Sequence, residues 1–385
     1  MKFLVLGAGA QGSACAFDLL RRDRVEEVRL ADLNVDALPD FLEPWSDDPR
    51  LVRLPVNAKD VRQVKEAMAG VDAVACALPY YFNLEMTRLA VGAGAHFCDL
   101  GGNTKIVEDQ EELGEEARAA GVSVVPDCGL APGLVNILAQ GGIDTLDEVE
   151  RVRILVGGLP QNPEPPLNYQ IVYSMEGVLD YYTTPVLVLE DGEVREKEAL
   201  TGVERVEFGE GVGELEAFYT AGGISRMPHR YRGRIPEMVY KTLRYPGHAA
   251  LMKGIRDLGL LGLEPVELDG RAVVPRDLFI EVVSPRLRKP DSPDLVAMRV
   301  EVAGRREGEE RTVRWEMVDR RDEERGITAM MRTTGYSLAT TAWMQADGAV
   351  EAGTATPAEC IDPDAFVSEL AGCGLHVRRE ERAGL

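Results

Sequence analysis

The most constraining feature of the sequence is a glycine triplet close to its start. Gly7, Gly9 and Gly12 follow the short apolar run at residues 2–6, and apolar residues then recur at helical spacing over residues 11–21. This order predicts a strand, a glycine turn and a helix. The first glycine permits a tight turn, the second lets a pyrophosphate approach the backbone, and the third lets helix and strand pack closely. The pattern therefore predicts a dinucleotide-binding loop, the alternative being a glycine turn that holds no ligand.

An acidic residue in the expected place extends this pattern. A second strand-like run at residues 28–31 ends at Asp32, twenty residues after Gly12. A carboxylate there accepts hydrogen bonds from the adenosine ribose. Leu33 and Asn34 follow, and because neither can neutralise the 2′-phosphate of NADP, the predicted cofactor is NAD. The predicted cofactor-binding residues are Gly7, Gly9, Ala10, Gln11, Gly12, Asp32, Leu78 and Pro79.

Alternation of strands and helices defines the first domain. Strand-like runs at residues 51–56, 73–78, 96–100 and 122–126 are separated by helical segments. This predicts an α/β fold with a doubly wound parallel sheet, a Rossmann domain, over residues 1–127. Longer alternating stretches then predict a second α+β domain for substrate binding and oligomerisation over residues 128–326. Residues 327–385 are predicted to be helical and to pack back on the Rossmann domain.

Composition narrows the range of partners. The net charge of −22 would repel nucleic acids and anionic membranes, and no apolar run approaches the length of a membrane span. An acidic surface would favour the approach of a cationic substrate, or would simply be a solvated surface that prevents aggregation. The six cysteines lie far apart, without metal-ligand spacing. We therefore expect a cytoplasmic enzyme with no metal, no nucleic acid and no membrane partner.

Longer strings resemble the saccharopine dehydrogenase family. They are Pro79-Tyr80, Pro-Asp-Cys-Gly-Leu-Ala-Pro-Gly at residues 126–133 and Thr-Leu-Arg-Tyr-Pro-Gly-His at residues 242–248, and the resemblance runs nearly the full chain. Within the family, the most similar members oxidise lysine at its ε-carbon. Saccharopine reductases usually have Asp where this chain has Ala131, which shifts the expectation away from saccharopine.

The resemblance implies an amino-acid dehydrogenase of amino-acid metabolism and a homo-oligomer. The expected reaction is NAD-dependent oxidative deamination of the ε-amine of L-lysine. The imine is hydrolysed, ammonia leaves, and the semialdehyde cyclises to a piperideine carboxylate. Formation or oxidation of saccharopine or carboxynorspermidine is one alternative, and a non-catalytic NAD-binding sensor or scaffold is another.

Three residues are candidates for acid–base and orienting roles in the reaction. Asp99 follows a strand and would take the amine proton if burial raises its pKa, or would instead cap the glycine turn after it. Tyr80 would orient the amine, or would be an ordinary wall residue. His248 has a pKa suited to proton transfer near neutrality, although a lone histidine is more often a satisfied core residue.

Five residues are candidates for substrate binding. Arg244 would clamp the α-carboxylate bidentately, or would form a structural ion pair. Thr220 and Ser225 flank a glycine pair that would present hydroxyl and N–H groups to a carboxylate, or would be a flexible turn. Tyr81 and Tyr173 complete the predicted substrate-binding set.

Overall fold

Strands and helices alternate through the first 145 residues of the computed structural model, which describes residues 1–384. The strands are β1 (Lys2–Leu6), β2 (Glu27–Asp32), β3 (Leu51–Pro55), β4 (Ala73–Cys76), β5 (His96–Asp99) and β6 (Ser123–Val125). The helices are α1 (Ala10–Leu20), α2 (Val61–Met68), α3 (Asn83–Ala93), α4 (Thr104–Glu111), α5 (Gly114–Ala120) and α6 (Leu134–Thr145), with 3-10 turns at Asp40–Trp45 and Tyr80–Phe82.

The middle of the chain is richer in strands. These are β7 (Glu148–Pro160), β8 (Val186–Glu190), β9 (Glu193–Lys197), β10 (Glu204–Phe208), β11 (Gly213–Tyr219), β12 (Glu237–Arg244), β13 (Val266–Leu268), β14 (Arg271–Val273), β15 (Asp294–Arg306) and β16 (Glu309–Arg320). The helices between them are α7 (Met175–Thr183), α8 (Met227–Arg230), α9 (His248–Asp257) and α10 (Pro275–Leu287). The chain then continues with α11 (Ala329–Ala346), β17 (Gly353–Thr354), α12 (Pro357–Cys360), α13 (Pro363–Gly372) and β18 (Arg378–Ala383).

The chain divides into two compact units, and neither is continuous in sequence. Unit 1 comprises Met1–Asp144 and Asp322–Val377, and unit 2 comprises Thr145–Arg321 together with the residues from Arg378 onward. The predicted boundaries after residues 127 and 326 differ from this division. Residues 128–144 belong to unit 1, where the amide of Cys128 donates to the carbonyl oxygen of Asp99 at 2.7 Å.

Unit 1 contains the predicted Rossmann sheet. Its strands run in the order β3, β2, β1, β4, β5, β6, β17, and all neighbours are parallel. The strand order reverses between β1 and β4, and ligands of open α/β sheets bind beside the carboxyl ends of the strands at such a point. The glycine loop follows β1 directly, so the fold places it at this crevice.

Unit 2 is built on a mixed sheet, as expected for an α+β domain. The order is β10, β11, β12, β7, β15, β16, β18, with β8 and β9 added beside β12. Strands β7 and β12 are parallel, and the other pairs along this path are antiparallel. Helices α7, α9 and α10 share a hydrophobic core with Phe218 of β11. Of the described residues, no helix is both long and apolar enough to span a bilayer.

The predicted helical C-terminal segment is only partly helical. Helix α11 packs on α1, with the Phe17 and Tyr336 rings stacked at 6.4 Å and Arg22 donating to the Thr340 hydroxyl at 3.0 Å. The last residues instead form β18, which pairs antiparallel with β16. The composition of this segment suits a helix, but Arg378 lies 3.0 Å from Glu316, so pairing with the sheet edge overrides local propensity.

The contact between α11 and α1 is unusually close. A Cβ atom on Gly335 would lie 2.7 Å from the carbonyl oxygen of Gln11 and 2.8 Å from the Cβ atom of Ala14. Only glycine lets the two helices approach this far. Because Gln11 belongs to the glycine loop, α11 packs directly against the end of that loop.

Candidate functional site

The glycine loop has the geometry that its spacing predicts. Gly7 has a φ of +98°, a backbone conformation that favours glycine. A Cβ on Gly12 would lie 1.8 Å from the carbonyl oxygen of Gly7, so this glycine is required for α1 to pack on the end of β1. A Cβ on Gly9 would meet no atom within 4 Å. Space is therefore left over Gly9, where a ligand can approach the backbone.

The start of α1 suits an anionic group. Gly9 is the N-cap residue and offers no side-chain acceptor to the first N–H groups, and the first turn contains no acidic residue. Gly9 and Ala10 are exposed. The Oε1 atom of Gln11 is buried and has no hydrogen-bond partner among the described residues. The unpaired N–H groups and the positive end of the helix dipole fit a pyrophosphate.

Asp32 lies beside this loop. Its Oδ2 atom accepts a hydrogen bond from the amide of Ala8 at 2.7 Å, and its Oδ1 atom lies 3.3 Å from the amide of Asn34. The carboxylate is therefore held at the carboxyl end of β2, next to the glycine turn. Leu33, which follows it, is exposed and uncharged. This arrangement matches a carboxylate that binds the two ribose hydroxyls of an adenosine.

The end of β4 also reaches the loop. A Cβ on Gly7 would lie 3.0 Å from the carbonyl oxygen of Ala77. Leu78 and Pro79 come next: Leu78 is partly buried and packs on the core of unit 1, whereas Pro79 is exposed. Both residues lie where the sequence predicts walls for the cofactor.

Asp99 is held within unit 1 and is fully buried. Its carboxylate accepts hydrogen bonds from the Gly101 amide at 2.7 Å, the Gln110 side chain at 2.7 Å and, more weakly, the Asp127 amide at 3.4 Å. Burial raises the pKa of Asp99 to about 6, and these three hydrogen bonds oppose the shift. The geometry favours the turn-capping role, because the donors are supplied by the protein itself. A direct proton transfer from substrate is not supported.

Tyr80 and Tyr81 lie on the surface just beyond β4. They are 39% and 64% exposed, and their rings contact edge to face at 5.9 Å. A Cβ on Gly102 would lie 3.3 Å from the Cβ of Tyr80, so Tyr80 packs on the turn that Asp99 caps. Unit 1 thus brings together the glycine loop, Tyr80 and the Asp99 turn along one edge of its sheet.

Arg244 is the central residue of the candidate site in unit 2. It ends β12 and is 3% exposed. Its guanidinium donates to the carbonyl oxygens of Leu243 at 2.9 Å and Gly158 at 3.4 Å, and its Cζ atom lies 4.9 Å from the centre of the Tyr169 ring. The Nε atom is buried and has no hydrogen-bond partner among the described residues.

Arg244 also differs from the other buried cations. Among the described residues, Lys241 and Arg276 are the other buried basic side chains, and each pairs with a carboxylate, of Glu204 and Asp180 respectively. No carboxylate lies within ion-pairing distance of Arg244 in the part of the chain described. The predicted alternative of a structural ion pair is therefore wrong, and a buried charge without a partner is costly unless a ligand supplies one.

A carboxylate on the neighbouring strand is engaged elsewhere. Glu216 lies opposite Arg244 in the β11–β12 register. Its two carboxylate oxygens accept hydrogen bonds from the amides of Gly247 at 2.9 Å and Ala249 at 2.6 Å. Glu216 therefore caps the start of α9, a favourable position for an anion, and leaves the guanidinium unpaired.

Tyr169 is a site residue that the sequence analysis missed. Its ring packs under the Arg244 guanidinium, and its hydroxyl is buried with no hydrogen-bond partner among the described residues. Burial raises the pKa of Tyr169 well above its ordinary value, so the hydroxyl stays protonated and able to donate. No motif marks this residue, because 75 positions separate it from Arg244 in the sequence.

His248 is buried, and its two ring nitrogens are satisfied by the protein. Nδ1 lies 3.0 Å from the carbonyl oxygen of Leu167, so it carries the proton, and Nε2 accepts from the Tyr182 hydroxyl at 3.0 Å. Burial, together with the charge of Arg244, lowers the pKa of His248 to about 3. The structure contradicts the predicted acid–base role, because the imidazole is neutral and has no free nitrogen.

The other predicted substrate-binding residues of unit 2 fall into two groups. Tyr173 is partly buried and interacts electrostatically with Tyr169 and Arg244, so it belongs to the Arg244 cluster. Thr220 is buried and shares a hydrogen bond of 2.7 Å with the Thr242 hydroxyl. Ser225 has a φ of +51°, in the turn that follows the glycine pair. The geometry gives Thr220 and Ser225 no direct link to Arg244.

The chain matches two family descriptions that together cover most of its length. Residues 129–375 match the saccharopine dehydrogenase C-terminal domain, and residues 3–125 match the saccharopine dehydrogenase NADP binding domain.

Curated relatives match over part of this chain and are longer than it. Mitochondrial alpha-aminoadipic semialdehyde synthase of Mus musculus is 26% identical over 273 residues, which cover 68% of this chain and 29% of that protein. The NADP(+), L-glutamate-forming saccharopine dehydrogenase of Pyricularia oryzae is 26% identical over 223 residues, which cover 54% of this chain and 48% of that protein. The aligned part is thus less than half the length of either relative.

Solved structures share the fold at low identity. The L-Glu-forming saccharopine dehydrogenase of Saccharomyces cerevisiae has a TM-score of 0.80 at 18% identity, over 99% of this chain and 100% of that chain. Homospermidine synthase of Legionella pneumophila has a TM-score of 0.69 at 11% identity, over 99% and 91% of the two chains. The two domain matches establish that the chain belongs to the saccharopine dehydrogenase family of oxidoreductases, with a domain that binds a nicotinamide dinucleotide.

Proposed function

We propose that this protein catalyses the NAD-dependent oxidative deamination of the ε-amine of L-lysine. The observation that carries the proposal is Arg244, a buried cation for which the described residues supply no carboxylate. A substrate that brings one carboxylate on a flexible amino-acid chain would complete its coordination. The product semialdehyde would cyclise to a piperideine carboxylate after ammonia leaves.

The surroundings of Asp32 support NAD over NADP. The Asp32 carboxylate lies beside the glycine loop, and the next residues, Leu33 and Asn34, carry no positive charge. A 2′-phosphate placed there would meet a carboxylate and no arginine. The matching family description names NADP, whereas the homospermidine synthase of the same fold was crystallised with NAD, so cofactor choice differs among these proteins.

Two buried donors next to each other support recognition of a carboxylate. The Nε atom of Arg244 and the hydroxyl of Tyr169 both lack acceptors among the described residues. Leaving buried donors unpaired costs about 1–3 kcal/mol each, a cost that a bound carboxylate removes. A charge-assisted pair with a guanidinium is also among the stronger hydrogen bonds in proteins.

The number of unpaired cations favours lysine over saccharopine. Lysine carries one carboxylate, whereas saccharopine carries three. Lys241 and Arg276, the other buried cations of the described residues, are already paired with Glu204 and Asp180. Ala131, which stands where saccharopine reductases usually have Asp, supplies no acid for the larger substrate.

The chemistry divides between the cofactor and the protein. The bound nicotinamide supplies the hydride acceptor for the ε-carbon. Arg244 and Tyr169 hold the carboxylate, and Tyr182 with His248 fixes the position of Arg244, because the Tyr182 hydroxyl lies beside the guanidinium and donates to His248. Asp99 shapes the turn on which Tyr80 packs.

A substrate panel tests the proposed reaction. The protein with NAD and L-lysine should produce NADH and ammonia in equal amounts, and 1,5-diaminopentane, which lacks the carboxylate, should react far more slowly. Consumption of reduced cofactor only when the semialdehyde is supplied with glutamate would indicate saccharopine chemistry instead. Thermal stabilisation by NAD without any turnover would indicate a non-catalytic protein.

Replacing the ribose-binding carboxylate should change the cofactor preference. In the double variant Asp32→Ser, Leu33→Arg we expect the ratio of kcat/KM for NAD to that for NADP to fall by about 100-fold, since the repulsion of a 2′-phosphate is replaced by attraction. The ratio is measured by steady-state kinetics with each cofactor. Asp36→Ser, like Asp32→Ser, removes one negative charge from the same loop and should leave the ratio unchanged. An unchanged ratio in the double variant would contradict the role of Asp32.

Removing the Tyr169 hydroxyl should weaken substrate binding and leave the stability of the fold unchanged. Tyr169→Phe should raise KM for lysine roughly 5- to 100-fold, since a hydrogen bond to a charged group is lost, without lowering the free energy of unfolding. Tyr182→Phe is the matched control and should destabilise the fold, because the Tyr182 hydroxyl is bonded to His248. A normal KM for lysine in Tyr169→Phe would remove this residue from the site.

His248 should affect KM and acid stability rather than the pH profile of catalysis. Its folded pKa of about 3 lies below the ordinary 6.5, so between these values only the unfolded chain holds the proton, and stability falls as pH falls through this window. His248→Phe should therefore lose less stability than the wild type between about pH 6.5 and about pH 4 in urea unfolding.

The same variant should also have a higher KM for lysine, and His248→Gln should partly restore the wild-type value. The inflections in the pH dependence of kcat/KM should not move. Loss of one inflection would contradict this prediction and would assign an acid–base role to His248.

A further inference from the structure

The buried carboxylate of Asp99 lies at the centre of a hydrogen-bond network in unit 1. Its Oδ1 atom accepts from the Gly101 amide at 2.7 Å, and its Oδ2 atom accepts from the Gln110 side chain at 2.7 Å. The Nε2 atom of Gln110 also donates to the Thr87 hydroxyl at 2.8 Å, and Thr87 donates to the carbonyl oxygen of Asn83 at 2.8 Å. Asp99, Gln110 and Thr87 are fully buried, so bulk water cannot replace these partners.

Both ends of this network reach Tyr80. On one side Gly101 leads to Gly102, and a Cβ on Gly102 would lie 3.3 Å from the Cβ atom of Tyr80. On the other side Asn83 is the first residue of α3 and follows directly on the 3-10 turn that contains Tyr80. The position of Tyr80 therefore depends on Asp99 through two routes, the glycine turn and the start of α3.

We infer that Asp99 and Gln110 are positioning residues for the reaction: the ionised Asp99 carboxylate holds Tyr80 in place, and protonation of Asp99 releases it. Tyr80 lies just beyond the carboxyl end of β4, next to β1, where open α/β sheets bind their ligands. Asp99 and Gln110 act through Tyr80 and do not contact the substrate. The inference rests on the proposed function, because oxidation of lysine with NAD is one of its two readouts.

Protonation changes the network because each described hydrogen-bond partner of the carboxylate is a donor. Gly101 and Asp127 supply amide N–H groups, and Gln110 supplies its Nε2 atom. A protonated Oδ2 atom would face Nε2, and two donors cannot share a hydrogen bond. The Oε1 atom of Gln110 is buried and has no hydrogen-bond partner among the described residues. A half-turn of the Gln110 amide pairs this oxygen with the carboxyl proton and takes Nε2 away from Thr87.

No cation fixes Asp99 in its ionised form. In the part of the chain that the structure describes, no basic side chain forms an ion pair with Asp99. The thiols of Cys76 on β4 and Cys98 on β5 lie near it, and burial keeps both neutral by raising the pKa of each. Asp127, in the loop after β6, brings a second carboxyl group to the same glycine turn, and Gln110 on α4 is uncharged. Burial raises the pKa of Asp99 to about 6, so it gains a proton in mild acid.

The expected consequence is that activity and stability depend on pH in opposite directions at Asp99. About one Asp99 carboxylate in ten stays ionised one pH unit below its pKa, so kcat for lysine should fall about tenfold between pH 7.5 and pH 5. The folded pKa lies above that of the unfolded chain. Between about pH 6 and about pH 4 the folded state therefore holds the proton more tightly, and Asp99 raises the free energy of unfolding as pH falls. Acid unfolding through Asp99 cannot cause the loss of activity.

The pH dependence of kcat in three variants tests the network. Asp99→Asn mimics the protonated acid, so its kcat should be about tenfold below wild type at pH 7.5 and should not fall further at pH 5. Gln110→Met removes the donor to Oδ2 at similar volume and should raise the midpoint of the acid limb by about 1 pH unit. Gln345→Met is the matched control, because Gln345 is also fully buried but donates to the carbonyl oxygens of Phe97 and Ser123. It should keep the wild-type midpoint.

Hydrogen exchange of the Gly101 amide tests the network without any substrate. At pH 7.5 this amide should exchange at least tenfold faster in Asp99→Asn than in the wild type, because its charged acceptor is lost. In Gln345→Met it should exchange as in the wild type. In the wild type itself, exchange corrected for the intrinsic effect of pH should be faster at pH 5 than at pH 7.5.

The two readouts separate this inference from the proposed function. If no lysine is oxidised but the Gly101 amide behaves as expected, the proposed function fails and the network stands. The inference is overturned if the wild type oxidises lysine without an acid limb, if Gln345→Met moves the midpoint as Gln110→Met does, or if Gly101 exchanges alike in the wild type at both pH values. Should Asp99→Asn fail to fold, an unmoved midpoint in Gln110→Met overturns it as well.

Discussion

The position of the glycine loop and of the start of α1 depends on the contact of Gly12 with the carbonyl oxygen of Gly7. Any side chain at Gly12 would collide with backbone and push α1 away from β1. The uncapped start of α1 would then lose its position relative to Asp32, which is itself fixed by the amide of Ala8. On its other side the same helix is held by Gly335 of α11. Gly12 and Gly335, neither of which has a positive φ, thus fix the position of α1 and of the loop before it.

Unit 2 contains a buried cation, Arg244, with which none of the described carboxylates forms an ion pair, and such a charge lowers the stability of the fold. Arg244 is buried against the ring of Tyr169, and the glutamate opposite it in the sheet, Glu216, caps α9 instead of neutralising it. A protein selected for stability alone would pair or replace such a cation. Retaining it makes sense when a ligand provides the missing anion, because the same free energy then contributes to binding. The Tyr182 hydroxyl, which donates to His248, lies beside this guanidinium.

The sequence predicted those features that depend on residues close together in the chain. The glycine spacing, Asp32 and the alternation of strands and helices all lie within short windows of sequence, and the Rossmann sheet followed from them. The roles of buried side chains could not be predicted in this way, because they depend on partners far away in the sequence. Nothing near His248 shows that Leu167 and Tyr182, 81 and 66 residues away, occupy both ring nitrogens. Likewise, Gln110 decides the role of Asp99, and strand pairing with β16 overrides the helical composition of β18.

The interrupted course of unit 1 has a consequence for biosynthesis. Helix α11 and strand β17 complete the nucleotide-binding unit, yet they follow the whole of residues 145–321 in the chain. A ribosome therefore releases residues 1–144 of this unit long before the segment that covers α1. Until then Phe17 lacks Tyr336 as its neighbour, and the edge of β6 lacks β17. While residues 145–321 are being synthesised, the apolar surface around Phe17 and the edge of β6 therefore face water. The nascent chain must either remain folded with this surface exposed or have it covered by another protein.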